Sequence, residues 1–121
     1  MSDARRSAFL DSSVTLPGLW EGNESLLPLD FRYRPMNAVE NAGWVRRISE
    51  AKGPDAIAET VCEMLADRLT VLREWDPEKS VFHEVAHTSD DLLKLDANAL
   101  YALQRIIERS AQTLEEARKN Y

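Results

Sequence analysis

Five consecutive residues, His83-Glu84-Val85-Ala86-His87, spell the HExxH pattern of zinc metallopeptidases. On a helix the two histidines lie one turn apart and can share a zinc ion, with Glu84 as general base on a metal-bound water. A third ligand is required, and Glu108, 21 residues after His87, stands near a separation that some zincins use. The flanking residues do not supply the helix this chemistry needs. Pro77 lies just upstream and the capping signal Thr88-Ser89 immediately downstream, leaving about two turns at most. No carboxylate is evidently placed to orient the histidines. The expectation is a connecting segment without metal, and a small zinc peptidase is the alternative from the enzyme class.

Other reactive groups are weaker candidates. Cys62 is the single cysteine, so no internal disulfide can form, and its periodic apolar surroundings predict a buried, inert thiol. A nucleophilic role would need an activating base at a recognisable spacing, and none is present. The carboxylate pairs Asp90-Asp91 and Glu115-Glu116 fall at a capping signal and on a helix surface, where they complement the helix dipole or face water. The four glycines, at 18, 22, 43 and 53, are scattered and form no phosphate-cradling loop. No catalytic residue and no cofactor are expected.

With 121 residues, 44% of them hydrophobic, the chain suits a single domain, 1–121, whose core needs no disulfide or metal. A net charge of −6 argues against nucleic acid, since phosphate binding draws on Lys and Arg. The basic pairs Arg5-Arg6 and Arg46-Arg47 are too short to track a phosphate backbone. The longest apolar run, Ala99 to Leu103, is too short to span a membrane. Met1 to Arg6 lacks the apolar segment of a signal peptide, so the cytoplasm is the expected location.

The elements that must position these residues predict a mainly α fold, a small helical domain with a short N-terminal β-strand or hairpin. Residues 1–12 are polar and expected to be flexible, 13–35 to contain strands, and 36–121 to be helical. Val14 to Leu16 precede a Pro17-Gly18 turn. Leu29 to Arg34 alternate, with Leu29, Phe31 and Tyr33 on one face and Asp30, Arg32 and Arg34 on the other. Pro35 stops that strand, and Asn37 with Glu40 reads as a capping box opening a helix over 38–51. Its expected buried positions are Val39, Trp44, Val45 and Ile48. Lys52-Gly53-Pro54 ends it. A second helix is predicted over 55–74 from Ile57, Val61, Met64, Leu65, Leu69 and Leu72, with Trp75 closing it and Asp76-Pro77 breaking it. Residues 76–87 are mixed. Thr88 to Asp91 cap a short leucine-rich turn, and Asp96 caps a last helix over 97–118, with Leu100, Leu103, Ile106, Ile107 and Leu114 on one side.

This order of features resembles the tail assembly chaperones of long-tailed, siphovirus-like phages. Phe31-Arg32-Tyr33-Arg34-Pro35 looks like that family's aromatic strand ending in a Tyr-Arg-Pro-like sequence. Leu72-Arg73-Glu74-Trp75-Asp76 is similar to its helix ending in a Trp-Asp pair. The run from Val85 to Leu95 is similar to its threonine-led, leucine-rich turn, and Leu100 to Ile107 to its last helix. The resemblance covers residues 29–110 through short, degenerate motifs, and departs in residues 1–28 and in the HExxH pentapeptide. It implies a helical protein-binding assembly factor of phage or prophage, not an enzyme, acting in the host cytoplasm. Its implied partners are the tape-measure protein and tail-tube subunits. A structural tail or connector protein of the virion is a further alternative.

The residues themselves suggest where such a partner would sit. The 29–34 ribbon is expected to leave a pairable edge, with Arg32, Tyr33 and Arg34 beside it, and Trp20 is the tryptophan most suited to an interface. Self-association stays open; nucleic acid and membrane are not expected partners.

Overall fold

The computed structural model describes residues 15–18, 20 and 28–119, and their side chains up to residue 109 except that of Leu16. In chain order the elements are β1 (Leu16–Pro17), β2 (Leu29–Tyr33), α1 (Ala38–Glu50), α2 (Pro54–Arg68), β3 (Leu69–Asp76), β4 (Val81–Glu84), α3 (Ser89–Leu92) and α4 (Ala97–Lys119). The flexibility expected of residues 1–12 and the inward placing of Leu114 lie outside what is described.

The expectation of a mainly α fold is overturned: the domain is mixed α/β. An antiparallel sheet in the order β1-β2-β3-β4 packs with four helices, three of its strands being substantial and β1 a two-residue addition. The difference arises at residues 69–84. The helix predicted over 55–74 stops at Arg68, where the chain turns directly into β3, and the mixed segment that follows completes a β3–β4 hairpin.

A bulge explains why this strand looks helical in sequence. Tyr33 pairs with Leu69 and Arg32 with Val71, so Thr70 is an extra residue in β3. In a regular strand, positions three apart point to opposite faces. The inserted Thr70 puts both Leu69 and Leu72 into the core, at 4% and 2% exposure, and so reproduces a helical step of three. Thr70, Val71 and Trp75 are all residues that favour pleated structure. Asp76-Pro77 does interrupt the chain, but as a hairpin turn. The Asp76 carboxylate accepts from the amides of Glu78 and Lys79 at 2.9 and 3.3 Å, and its carbonyl accepts from the Ser80 amide at 2.8 Å.

Local signals elsewhere are obeyed. Asn37 and Glu40 form a reciprocal capping box at α1, and Thr88 and Asp91 form another at α3. Gly53 adopts φ 91°, a conformation that costs an L side chain, and Pro54 occupies the first turn of α2.

Beneath the sheet, Phe31, Leu69 and Leu72 share one apolar cluster with Met36 from the β2–α1 connection and Val61, Cys62, Met64 and Leu65 from α2. Leu92 of α3 and Leu100, Leu103 and Ile107 of α4 close the same cluster. Gly18 crosses directly over the Phe31 ring, where a Cβ would overlap the aromatic carbons, and its amide donates to the Phe31 carbonyl at 2.7 Å. The weakest docking belongs to α1, which has no buried residue. Of its four expected core positions only Trp44 and Ile48 pack on the cluster, whereas Val39 is 81% and Val45 44% exposed. Trp44 and Ile48 lie one turn apart on a narrow stripe, and Val39 lies roughly 140° round the helix from Trp44.

Candidate functional site

The HExxH residues are not on a helix. His83 and Glu84 belong to β4, and Val85 to His87 form a connection without regular secondary structure before the α3 cap. The helical turn of about 6 Å that would bring two such histidines to one metal is therefore missing from this segment. The histidines also differ in their surroundings. His83 is exposed with Nε2 at 3.9 Å from the Glu74 carboxylate, while the Nδ1 of half-buried His87 is enclosed without a hydrogen-bond partner. Among the described residues no three His, Cys, Asp or Glu side chains cluster as metal ligands would, and Glu108 joins neither histidine. Cys62 is buried, and burial together with the nearby Glu59 carboxylate pushes its thiol above the ordinary value, away from a nucleophilic thiolate.

Of the four residues expected to meet a partner, three are committed to the protein's own body. Trp20 donates its indole N–H to the Leu29 carbonyl at 2.8 Å and stands edge-on to Phe31 with centroids 4.9 Å apart. Tyr33 is only 4% exposed, with its ring 6.0 Å from that of Phe31. The Arg34 guanidinium meets the Asp67 carboxylate at 3.8 Å and also donates to the Asp67 carbonyl. Arg32 alone is exposed, its longest reach being 3.4 Å contacts to Thr15. Nor is β2 an open edge. β3 pairs one side, and β1, the Gly18 amide and the Trp20 indole occupy the other.

Next to this region lies an arginine that sequence reasoning missed. Arg68, 9% exposed, contacts the Glu40 carboxylate at 3.1 Å, the Asp67 carboxylate at 2.8 Å and the Pro35 carbonyl at 3.5 Å. Glu40 therefore caps α1 with one oxygen and holds the end of α2 with the other. A nearly buried guanidinium needs such partners on all sides. This linkage ties the β2–α1 connection, α1 and α2 together and is structural.

The face of the sheet opposite the core is different. Alternation places Asp30 and Arg32 of β2, Val71, Arg73 and Trp75 of β3, and Phe82 and Glu84 of β4 on it, and none of these is buried. Arg73 faces Asp30 at 3.7 Å and is the register partner of Glu84. At the hairpin end Trp75 and Phe82 are direct cross-strand partners, edge to face at 5.1 Å, yet 38% and 44% exposed. Such a pair is worth about 0.5–1.5 kcal/mol to the hairpin. Beyond it, β4 is the last strand of the sheet among the described residues, and all four of its side chains are exposed. The sequence signal that could have found this site is the pair of aromatic-bearing runs, 71–75 and 81–84, around the Asp76-Pro77 turn.

No protein-family model, curated protein or solved structure matches this chain. Among the described residues no helix is long and apolar enough to cross a membrane.

Proposed function

We propose that this chain is a protein-binding assembly factor with the role its resemblance to phage tail assembly chaperones implies, engaging the tape-measure protein and tail-tube subunits. The observation that supports it is the exposed Trp75–Phe82 pair, set in the polar surround of Asp30, Arg32, Arg73 and Glu84. An aromatic centre within a polar rim is the usual anatomy of a protein interface, and aromatic anchors supply most of its energy. The interface belongs on this face and not along β2, whose backbone groups are already occupied.

The test is co-expression of the chain with the tail-tube and tape-measure proteins of the same genome, followed by pull-down. Wild type captures at least one of them, and the double variant Trp75→Ser, Phe82→Ser loses capture while keeping its far-ultraviolet circular dichroism. Capture of no tail protein by wild type ends the chaperone role. Equal capture by the double variant moves the interface away from the hairpin.

A further inference from the structure

We infer that the outer edge of β4 accepts an extended, basic segment of a partner protein as an added strand; this rests on the assembly-factor role above and specifies the chemistry of its partner. The backbone supplies the first reason. The Val85 amide donates to the Leu72 carbonyl at 2.9 Å, so residues 85, 83 and 81 direct their backbone groups toward β3. Alternation then turns the N–H and C=O groups of Phe82 and Glu84 outward, to an edge with no strand beside it among the described residues. Unpaired outward groups of this kind are the template for strand addition.

Side chains define what that strand must carry. Phe82 and Glu84 share the face that bears Trp75 and Arg73. A strand laid along β4 places two residues, two positions apart, directly beside them, with Cβ atoms about 4.5–5.5 Å away. The residue beside Phe82 would be apolar, extending the Trp75–Phe82 contact. The residue beside Glu84 would be Lys or Arg. Charge over the wider segment points the same way: residues 73–91 hold six carboxylates against Arg73 and Lys79, a net −4 of the chain's −6. Arg73 is already drawn to Asp30. A second copy of the chain would bring two such acidic strips together, which disfavours self-pairing and favours a basic partner.

The probe is a synthetic peptide of Val-Thr-Lys-Thr repeats, titrated into the full chain with tryptophan fluorescence as readout, beside a control with Glu for Lys. The Lys peptide binds, and the Glu peptide binds at least about tenfold more weakly. Glu84→Pro removes one outward amide without breaking the ladder to β3 and weakens binding about tenfold, the equivalent of one net hydrogen bond. Glu84→Gln keeps the amide, loses less, and reduces the salt dependence. Should Glu84→Pro fail to fold, a Lys peptide N-methylated at its edge-facing residues tests the same bonds and binds as weakly. No binding by wild type, equal binding of both peptides, or binding indifferent to proline and N-methylation overturns the inference. A concentration-dependent dimer that Glu84→Pro abolishes, without peptide binding, assigns the edge to a second copy and also overturns it. Capture of tail proteins without peptide binding removes strand addition alone, whereas peptide binding without such capture removes only the tail-assembly role.

Discussion

Arg32 and Arg34 stand two positions apart on one side of the same ribbon, yet their surroundings separate them. Alternation along β2 was legible from residues 29–34; the partner that holds Arg34 was not, because Asp67 is 33 residues away. Arg34→Glu sets a carboxylate against Asp67 and is expected to cost about 1 kcal/mol, a figure held down by the partial exposure of both groups. Arg32→Glu, on the open face, stays within about 0.5 kcal/mol. Denaturant midpoints that move equally for the two would show that the Arg34 contact contributes nothing. Asp91 gives a second test. Hydrogen bonds from the Thr88 hydroxyl and amide, at 2.6 and 3.2 Å, hold its carboxyl below the ordinary carboxylate range. A folded pKa below the unfolded one means the ionised cap stabilises the fold above the unfolded value of about 3.9 and loses that effect as pH falls through the folded value. The carboxyl-carbon titration of Asp91 therefore has its midpoint below that of a free aspartate, and Thr88→Ala returns it toward the free value. A wild-type midpoint at or above the free value contradicts the capping geometry.

Elements whose signals are contained in neighbouring residues could be read directly, and those decided by pairing could not. Asn37 with Glu40 and Thr88 with Asp91 each close a cap within four residues, and both caps are present. Gly53-Pro54 likewise fixes where one helix ends and the next begins. The strand at 69–76 has no such local signature. Its bulge exists only against β2, and without that partner Leu65, Leu69 and Leu72 fit a helical stripe equally well. The looseness of α1 is also a tertiary property, since Val39 and Val45 are apolar but face outward. It leaves a residue that serves no packing purpose: a Cβ built on Gly43, in mid-helix, meets nothing within 4 Å beyond its chain neighbours and the helix's own backbone. Gly43→Ala is expected to stabilise the protein by about 0.5–1 kcal/mol, through the helical preference of alanine and the smaller entropy of the unfolded chain. A lowered melting midpoint would mean that the space beside Gly43 is occupied.

At the scale of the whole molecule, the described helices and sheet divide the surface into a covered face and one left bare among the described residues. The candidate site exists because of that division. Trp75 and Phe82 are seven residues apart in sequence and become neighbours only when β3 and β4 pair, so reading Trp75 as the end of a helix concealed the site. Trp20, which the sequence offered as an interface residue, is held by the Leu29 carbonyl and Phe31 instead. The same division orders the molecule's stability, because opening the covered side exposes the common core whereas opening the β4 edge breaks no strand pairing on its outer flank among the described residues. Amide hydrogen exchange should follow it. Amides of Val61, Leu65 and Leu103, within helices and fully enclosed, are expected to exchange only through large-scale opening. The Val85 amide, bonded to Leu72, should be intermediate. Those of Phe82 and Glu84, turned outward, should exchange close to the rate of an unprotected peptide, and slow when a basic strand is bound. Protection of Phe82 and Glu84 equal to that of Val85 in the free protein would mean the edge is already paired, and the bare face would then not be the place where a partner docks.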